Sequence, residues 1–558
     1  MDSASAPTPA STLLSAFRRL DIGLVGAGLL ALCLALLTFP GYLPLRDAIA
    51  RFEVAEALQH GNLFVDHAPA ASNPHFESWY VTGADGHRYI RYPLLHSLLM
   101  LLPMSLFDNQ RGAALTFVLM APLVPWLGAR AGRALGYGQR QSLAGGCLLA
   151  FATMMFPYSR DSHDNFLIAL GTLWAFVALA APRRPLLAAA SAGLAFGLTL
   201  NVKLWAVAML PMVAWLLPVA TAEARAFSLT GWVRGWLDRR TWLRCAVFGL
   251  AAAPAVYFYC DYVSLRFGSP FGDLAVEAGK GSPAPLLALA GLTIGPAKSV
   301  FLYNPILVLA PVALWRLCRR APRLGAGIAL GAAGSFAMTC MYANWHGDMC
   351  WGPRYVLPAV ALLALTLPEL AGGRREGLVR WAWRGLLAAS VAVQLIGSSV
   401  YVNRYFNETG HTDLQYVEDR TYRYYFTLEP SQFSSAVLAV PEVVRVSLDM
   451  ALHGGRAVAG ERAALQGIPL GALEPAVREQ VASRLRLLAD PGYSTLSWWW
   501  VFDAVAKTSV AWSAPLSTAI LALSLIGAAL GALALAVGLS RASGQGTGDH
   551  PGAPVGPS

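Results

Sequence analysis

The chain has 558 residues, 56% apolar and 13% charged, with 42 Lys and Arg against 32 Asp and Glu for a formal net charge of +10. A soluble chain carries about a quarter of its residues charged, so this composition excludes an ordinary soluble multidomain protein and points to a polytopic membrane protein. The basic excess does not mark a nucleic-acid binder, because it falls in short stretches between apolar segments, as topology signals and headgroup contacts do.

In chain order, residues 1–19 are small and polar, and the sequence predicts a disordered cytoplasmic N-terminus there; residues 539–558 read the same way. No cleavable signal pattern is expected around the first apolar run, near Leu20. A spanning helix needs about 20 mostly apolar residues. About twelve stretches approach that requirement: 20–40, 110–130, 143–157, 165–182, 185–200, 204–220, 244–260, 299–317, 323–342, 354–371, 379–400 and 513–538. Residues 93–107 are too short to span and read as a half-buried or interfacial helix.

Arg18 and Arg19 precede the first span, and later basic loops include GARAGRALGYGQRQ, APRRP, RLCRRAPR and GGRREGLVRWAWR. With twelve spans all of them lie on the N-terminal side, which is therefore expected to be cytoplasmic. The opposite side receives the first outer loop 41–92, the loop around PYSRDSHD, residues 261–298, the stretch NWHGDMCWGPRYVLP and the segment 401–512. The expected fold is an all-α polytopic membrane protein of about twelve transmembrane helices, with amphipathic helices in the first outer loop. The transmembrane module covers 20–400, the periplasmic segment 401–512 and the last helix 513–538.

The outer loops carry the ionisable residues. Asp47 follows the first span and opens a helix, where it can be an N-cap, a general base, or both. Arg91 and Tyr92 stand where the chain re-enters the membrane, as anchors or as phosphate and chain contacts. Asp164 sits beside Arg160, Asp161 and His163 at a helix mouth, a costly place for charge that marks a functional-site candidate. Lys203 reads as a snorkelling end residue or a phosphate ligand, and Lys298, before a helix beside Tyr303, as an anion site.

In the 344–358 stretch, Trp345, His346, Asp348, Trp351, Arg354 and Tyr355 surround a glycine turn, with Arg354 suited to bidentate phosphate binding. Trp498, Trp499 and Trp500 fit an interfacial anchor or a sugar contact. Seven cysteines form no CxxC pair, which supports no metal knuckle or redox motif; a Cys260–Cys350 disulfide stays open.

Taken in order, LRDAIARFEVAEAL, YIRYPLLHSLLMLLP, FPYSRDSHDNFLIAL, FGSPF, GPAKSVFLYNP and WHGDMCWGPRYVLPA resemble the bacterial GT-C glycosyltransferases that use polyprenyl-phosphate sugars, relatives of protein O-mannosyltransferases and aminoarabinose lipid A transferases. The resemblance covers roughly residues 20–400, since the motif set thins beyond the last expected catalytic span. It implies a GT-C-like fold, Asp47 as catalytic base, Asp164 as the second acidic position, the Tyr92–Pro93 pair opening an embedded half-helix, and Trp351–Tyr355 as a late periplasmic motif. The chain departs from the pattern where Ala48 follows Asp47 in place of a second acidic residue, which puts metal ligation by a local pair in doubt.

The function expected is transfer of a sugar from a polyprenyl-phosphate donor to a periplasmic or cell-surface lipid or polysaccharide, with inversion, in the bacterial inner membrane with the site facing outward. Arg91, Lys203, Lys298, His346 and Arg354 are the candidate donor-phosphate ligands; Tyr92, Tyr303, Trp345, Trp351 and Tyr355 are the candidate substrate or lipid contacts. No cofactor is demanded. A divalent cation, Mg or Mn, is the one candidate, held by Asp47 and Asp164. A lipid-linked oligosaccharide flippase is the competing class, but it should place charges at the bilayer midplane and show related halves; here they crowd one face and no repeat is visible. A surface-glycan ligase or polymerase shares the outer-face site.

Overall fold

The computed structural model describes residues 21–43, 46–66, 79–107, 110–180, 184–218, 229–347, 350–371, 377–401, 404–405, 431–453, 456–489, 494–506 and 513–544. The expected disordered tails (1–19 wholly, 539–558 beyond residue 544), Asp348 and much of the 401–512 segment lie outside the described residues.

Among the described residues, helices follow one another with a single two-stranded hairpin between them. Three helices are long and apolar enough to cross a membrane: Gln110–Ala134, Arg239–Phe267 and Ala514–Ala542. The other stretches expected to span hold helices that do not meet that standard, among them Ile22–Thr38, Asp164–Ala180, Pro185–Leu200 and Leu357–Ala364. Residues 299–317 show why. Val300–Tyr303 stops at Asn304, a tight turn runs over Pro305–Leu309, and a new helix starts at Ala310. Asn304 satisfies the break: its Oδ1 accepts from Met154 N at 2.8 Å and its Nδ2 donates to Val300 O at 2.9 Å. A helix interruption inside an apolar bundle requires such internal partners.

The first and last helices pack by close backbone approach. A Cβ on Gly26 would lie 2.5 Å from Leu535 N, and one on Gly531 2.7 Å from Leu30 N. Only glycine permits this contact, the usual way two apolar helices gain packing where burial of grease offers no advantage.

The two ends of Ile22–Thr38 meet different company. Asp21 caps its start and pairs with Arg133, in one of the basic loops. At its end, Arg160 donates to Thr38 O, and Trp499 and Trp500 send their indole N–H groups to Leu36 O at 2.8 Å and Leu37 O at 3.0 Å. Helix ends leave carbonyls without intrahelical partners, and these side chains satisfy them. Trp499 is therefore fully buried and caps a helix, a different job from the interfacial anchor the WWW run suggested. All seven cysteines are free, Cys260 and Cys350 included.

The helix Arg46–Gln59 lies just beyond the first one, and the hairpin Tyr80–Thr82 with Arg88–Ile90 is fastened to it. Tyr80 Oη donates to the Glu53 carboxylate, and Arg266 ties Arg91 O to Asp273 on the far side. The short helix expected in 93–107 spans Leu95–Leu106, with His96, Met100 and Met104 buried and Leu98, Leu102 and Leu106 exposed. These supports set Asp47 and Tyr92 at the mouth of the bundle.

Candidate active site

Five charged side chains form one chain of alternating sign. Arg354 Nη1 lies 3.7 Å from Asp47 Oδ2; Arg51 Nη1 lies 3.4 Å from that same oxygen; Arg51 Nη2 donates to Asp164 Oδ2 at 3.1 Å; and Lys203 Nζ donates to Asp164 Oδ2 at 3.1 Å. The five members come from four separate segments. Asp47 and Arg51 are one turn apart on Arg46–Gln59, Asp164 opens Asp164–Ala180, Lys203 follows Pro185–Leu200, and Arg354 starts the tight turn leading into Leu357–Ala364.

Exposure divides the five. The side chains of Asp47, Arg354 and Lys203 are 12%, 11% and 14% exposed, whereas those of Arg51 and Asp164 are at 0%. Solvent therefore reaches the first three in part, and the other two are fully enclosed. Asp164 spends its second oxygen on Asn165 Nδ2 at 2.7 Å, so both its oxygens are engaged. Three cations against two carboxylates leave the cluster one positive charge in surplus. Charges removed from water persist only when paired in this way.

Aromatic faces frame the cations. Arg51 lies over the Tyr92 ring at 4.1 Å, Lys203 over Tyr355 at 4.9 Å, and Arg354 over Tyr355 at 4.9 Å while donating to its Oη at 3.1 Å. Trp205 stacks on Tyr355 with ring centroids 5.2 Å apart. His163 is buried beside the cluster; burial first, and the Arg354 guanidinium next, push its imidazole down to about 3, so it is neutral and leaves the charge balance unchanged. Gly347 takes φ +75° in the loop before Arg354, and a Cβ there would lie 2.8 Å from Arg354 Cγ, so the glycine makes room for the arginine.

The structure thus brings together Asp47, Asp164, Lys203, Arg354, Tyr92 and Tyr355. It places the other candidates elsewhere. Lys298 directs its ammonium to Cys350 O at 2.9 Å, Gly352 O at 3.3 Å and Gln432 Oε1 at 3.1 Å. An ammonium has three donors, so Lys298 pins the 350–352 turn to the helix Gln432–His453 and keeps none for phosphate. Tyr303 and Trp351 pack edge to face at 4.9 Å, both against Phe433, in that same structural seam. Trp345 is fully buried against Gly291, and His346, 1% exposed, meets the Trp345 ring edge-on. Arg91 stands next to Tyr92, with its backbone N–H on Trp79 O at 2.7 Å.

Arg51 is the member that reading the sequence missed. Its signal was present as the four-residue spacing from Asp47, but that spacing usually denotes an ordinary surface helix pair. The donor set does not fit the divalent cation considered for Asp47 and Asp164. Arg51 bridges the two carboxylates, Arg354 and Lys203 flank them, and among the described residues no three His, Cys, Asp or Glu side chains gather at a metal-holding distance.

No family model and no curated protein sequence matches the chain. Among solved structures it is similar to ArnT from Cupriavidus metallidurans in the apo state, with 16% identity, 89% of this chain and 78% of that one covered, and a TM-score of 0.48. The same protein bound to undecaprenyl phosphate gives 15%, 93%, 78% and 0.45. The archaeal oligosaccharyltransferase AglB from Archaeoglobus fulgidus, in complex with an inhibitory peptide and a dolichol-phosphate, gives 12%, 75%, 60% and 0.40.

Proposed function

We propose that this chain is an inverting membrane glycosyltransferase that moves a sugar from a polyprenyl-phosphate donor to a hydroxyl of a glycolipid or glycan on the outer face of a bacterial inner membrane. In this reading the chain crosses the membrane about twelve times, with the basic loops inside. The observation that carries it is the charge chain, whose partly exposed members are one carboxylate and two cations. A donor phosphodiester bears one negative charge, which the surplus positive charge accommodates. Support for the orientation comes from the first helix, whose start pairs with Arg133 of the basic stretch GARAGRALGYGQRQ and whose far end leads to Arg46–Gln59, the helix that carries Asp47.

The donor phosphate docks between Lys203 and Arg354, and its chain lies along the aromatic faces of Tyr92 and Tyr355. Asp47 accepts the proton of the acceptor hydroxyl as that oxygen attacks the anomeric carbon. The bond from the anomeric carbon to the phosphate oxygen breaks, the electron pair stays on phosphate, and the cations stabilise the charge that develops there. The products are the inverted glycoside and polyprenyl phosphate. Asp164 touches no substrate; it holds Arg51 and Lys203 in place.

The test is Asp47→Asn, assayed with the purified chain and extracted polyprenyl-phosphate sugars. Loss of a general base costs about 10²–10⁴ in rate, so transfer should fall by at least about a hundredfold. Parental activity in the variant would remove Asp47 from the base role, and a wild-type chain that transfers no sugar from any such donor would end the transferase reading.

A further inference from the structure

We propose that Arg51 is a positioning residue that acts as a built-in bridging cation, taking between Asp47 and Asp164 the place a divalent metal would otherwise occupy. The inference rests on the transferase reading and concerns the same site.

Two carboxylates brought to one site repel, and one of them protonates unless a cation stands between them. A protonated Asp47 cannot take the proton of an attacking hydroxyl. Calcium and magnesium solve this problem with oxygen ligands at about 2.0–2.6 Å and several waters. Here the two terminal nitrogens of one guanidinium span the gap, Nη1 at 3.4 Å from Asp47 Oδ2 and Nη2 at 3.1 Å from Asp164 Oδ2. Nη1 also donates to Asp47 O at 3.4 Å, which ties the guanidinium to the start of its own helix. The Tyr92 ring, 4.1 Å away, covers one face of the group, and the side chain is at 0% exposure. A hydrated ion has no entry from that side, and the Asp164 oxygen that faces Asp47 through Arg51 already accepts from both Arg51 and Lys203.

Two consequences separate this role from simple packing. Arg51 lies behind Asp47 and touches no donor, so its loss should lower kcat and leave the donor KM nearly unchanged. Its removal should also uncover a latent metal site, since two facing carboxylates with water are a fitting ligand set for Mn²⁺.

The experiment uses the full-length chain in detergent, with Mn²⁺ as probe, read by its electron paramagnetic resonance signal and by transfer assays. The wild type should transfer sugar undiminished in EDTA and show no bound Mn²⁺ that Asp47→Asn abolishes. Arg51→Ala should lose about a hundredfold in kcat, the scale expected when a catalytic group is displaced by about 1 Å. It should bind Mn²⁺ and recover part of its rate there, and the double variant Arg51→Ala with Asp47→Asn should bind none. Should Arg51→Ala fail to fold, the wild-type EDTA and Mn²⁺ measurements and the Arg51→Lys variant, which keeps the charge but not the bridge, still decide. Wild-type transfer abolished by EDTA and restored by Mn²⁺, Asp47-dependent Mn²⁺ binding in the wild type, or parental kcat in Arg51→Lys would each overturn the proposal. Absence of transfer by the wild type would sink the functional reading alone, because the Mn²⁺ comparison does not depend on activity.

Discussion

The charge chain makes a quantitative demand on the pair Lys203 and Asp164. Nζ and Oδ2 are 3.1 Å apart, which at an effective dielectric near 20 corresponds to about 5 kcal/mol of attraction. Desolvation of both groups and the ordering of a long side chain offset most of it. Asp164 also keeps Arg51 when the lysine is lost. A double-mutant cycle of Asp164→Asn and Lys203→Met should therefore show a coupling energy of about 1–3 kcal/mol, within the range found for contacting residues in one network. The measurement is reversible denaturant unfolding in mixed micelles for all four corners of the cycle. Asp164→Asn alone should be the more damaging single change, because it leaves Lys203 without its carboxylate and Arg51 with Asp47 alone, where Lys203→Met removes one of the three donors to Asp164. A coupling below about 0.5 kcal/mol, or a larger loss from Lys203→Met than from Asp164→Asn, would refute a connected chain and leave only a fortuitous contact.

Other outcomes follow from single contacts. Gly531→Leu should lower thermal stability by an amount of order 1–3 kcal/mol, because a side chain there meets Leu30 N and Gly26 O and must push the first and last helices apart; an unchanged melting point would mean that this seam is looser than described. Glu442 in the helix Gln432–His453 supplies a pH dependence. Burial tends to raise its pKa, but Arg484 and Arg404 outweigh that and hold the carboxyl below its ordinary 4.5. Its stabilising contribution is fully present above that ordinary value and is lost as pH falls through the lower folded value. Glu442→Gln should therefore destabilise at neutral pH and converge with the wild type in acid; a gap that stays constant down the pH scale would refute the charge-based account.

Much of the site was legible in the sequence because ionisable residues are costly in an apolar chain and stand out. Asp47, Asp164, Lys203 and Arg354 lie in four separate segments, yet each interrupts an apolar run, and the structure joins them. What stayed hidden depends on which neighbour a side chain meets. Lys298 and Arg354 look alike as cations beside Gly and Pro turns. One is consumed by three oxygens of the 350–352 turn and Gln432, the other reaches Asp47 because Gly347 leaves room for its stem. Trp345 and Trp351 look like interface or sugar contacts in a tryptophan-rich loop, but packing partners far along the chain, Gly291 and Phe433, bury them. The helix count is poorly legible for a related reason. Broken helices such as 300–320 remain apolar in composition, and composition does not register the Asn304 side chain that makes the break tolerable.

Alternation of sign also explains how so apolar a protein keeps five charges together. Each interior member, Asp47, Arg51 and Asp164, has an opposite charge on both sides, which is the arrangement that repays removal from water. The ends of the chain, Arg354 and Lys203, have one neighbour each within it and are both cations, so the surplus positive charge is divided between the two ends. Those ends are also partly exposed and share the Tyr355 ring, which holds them near one another. An anion arriving there completes the alternation at both termini at once.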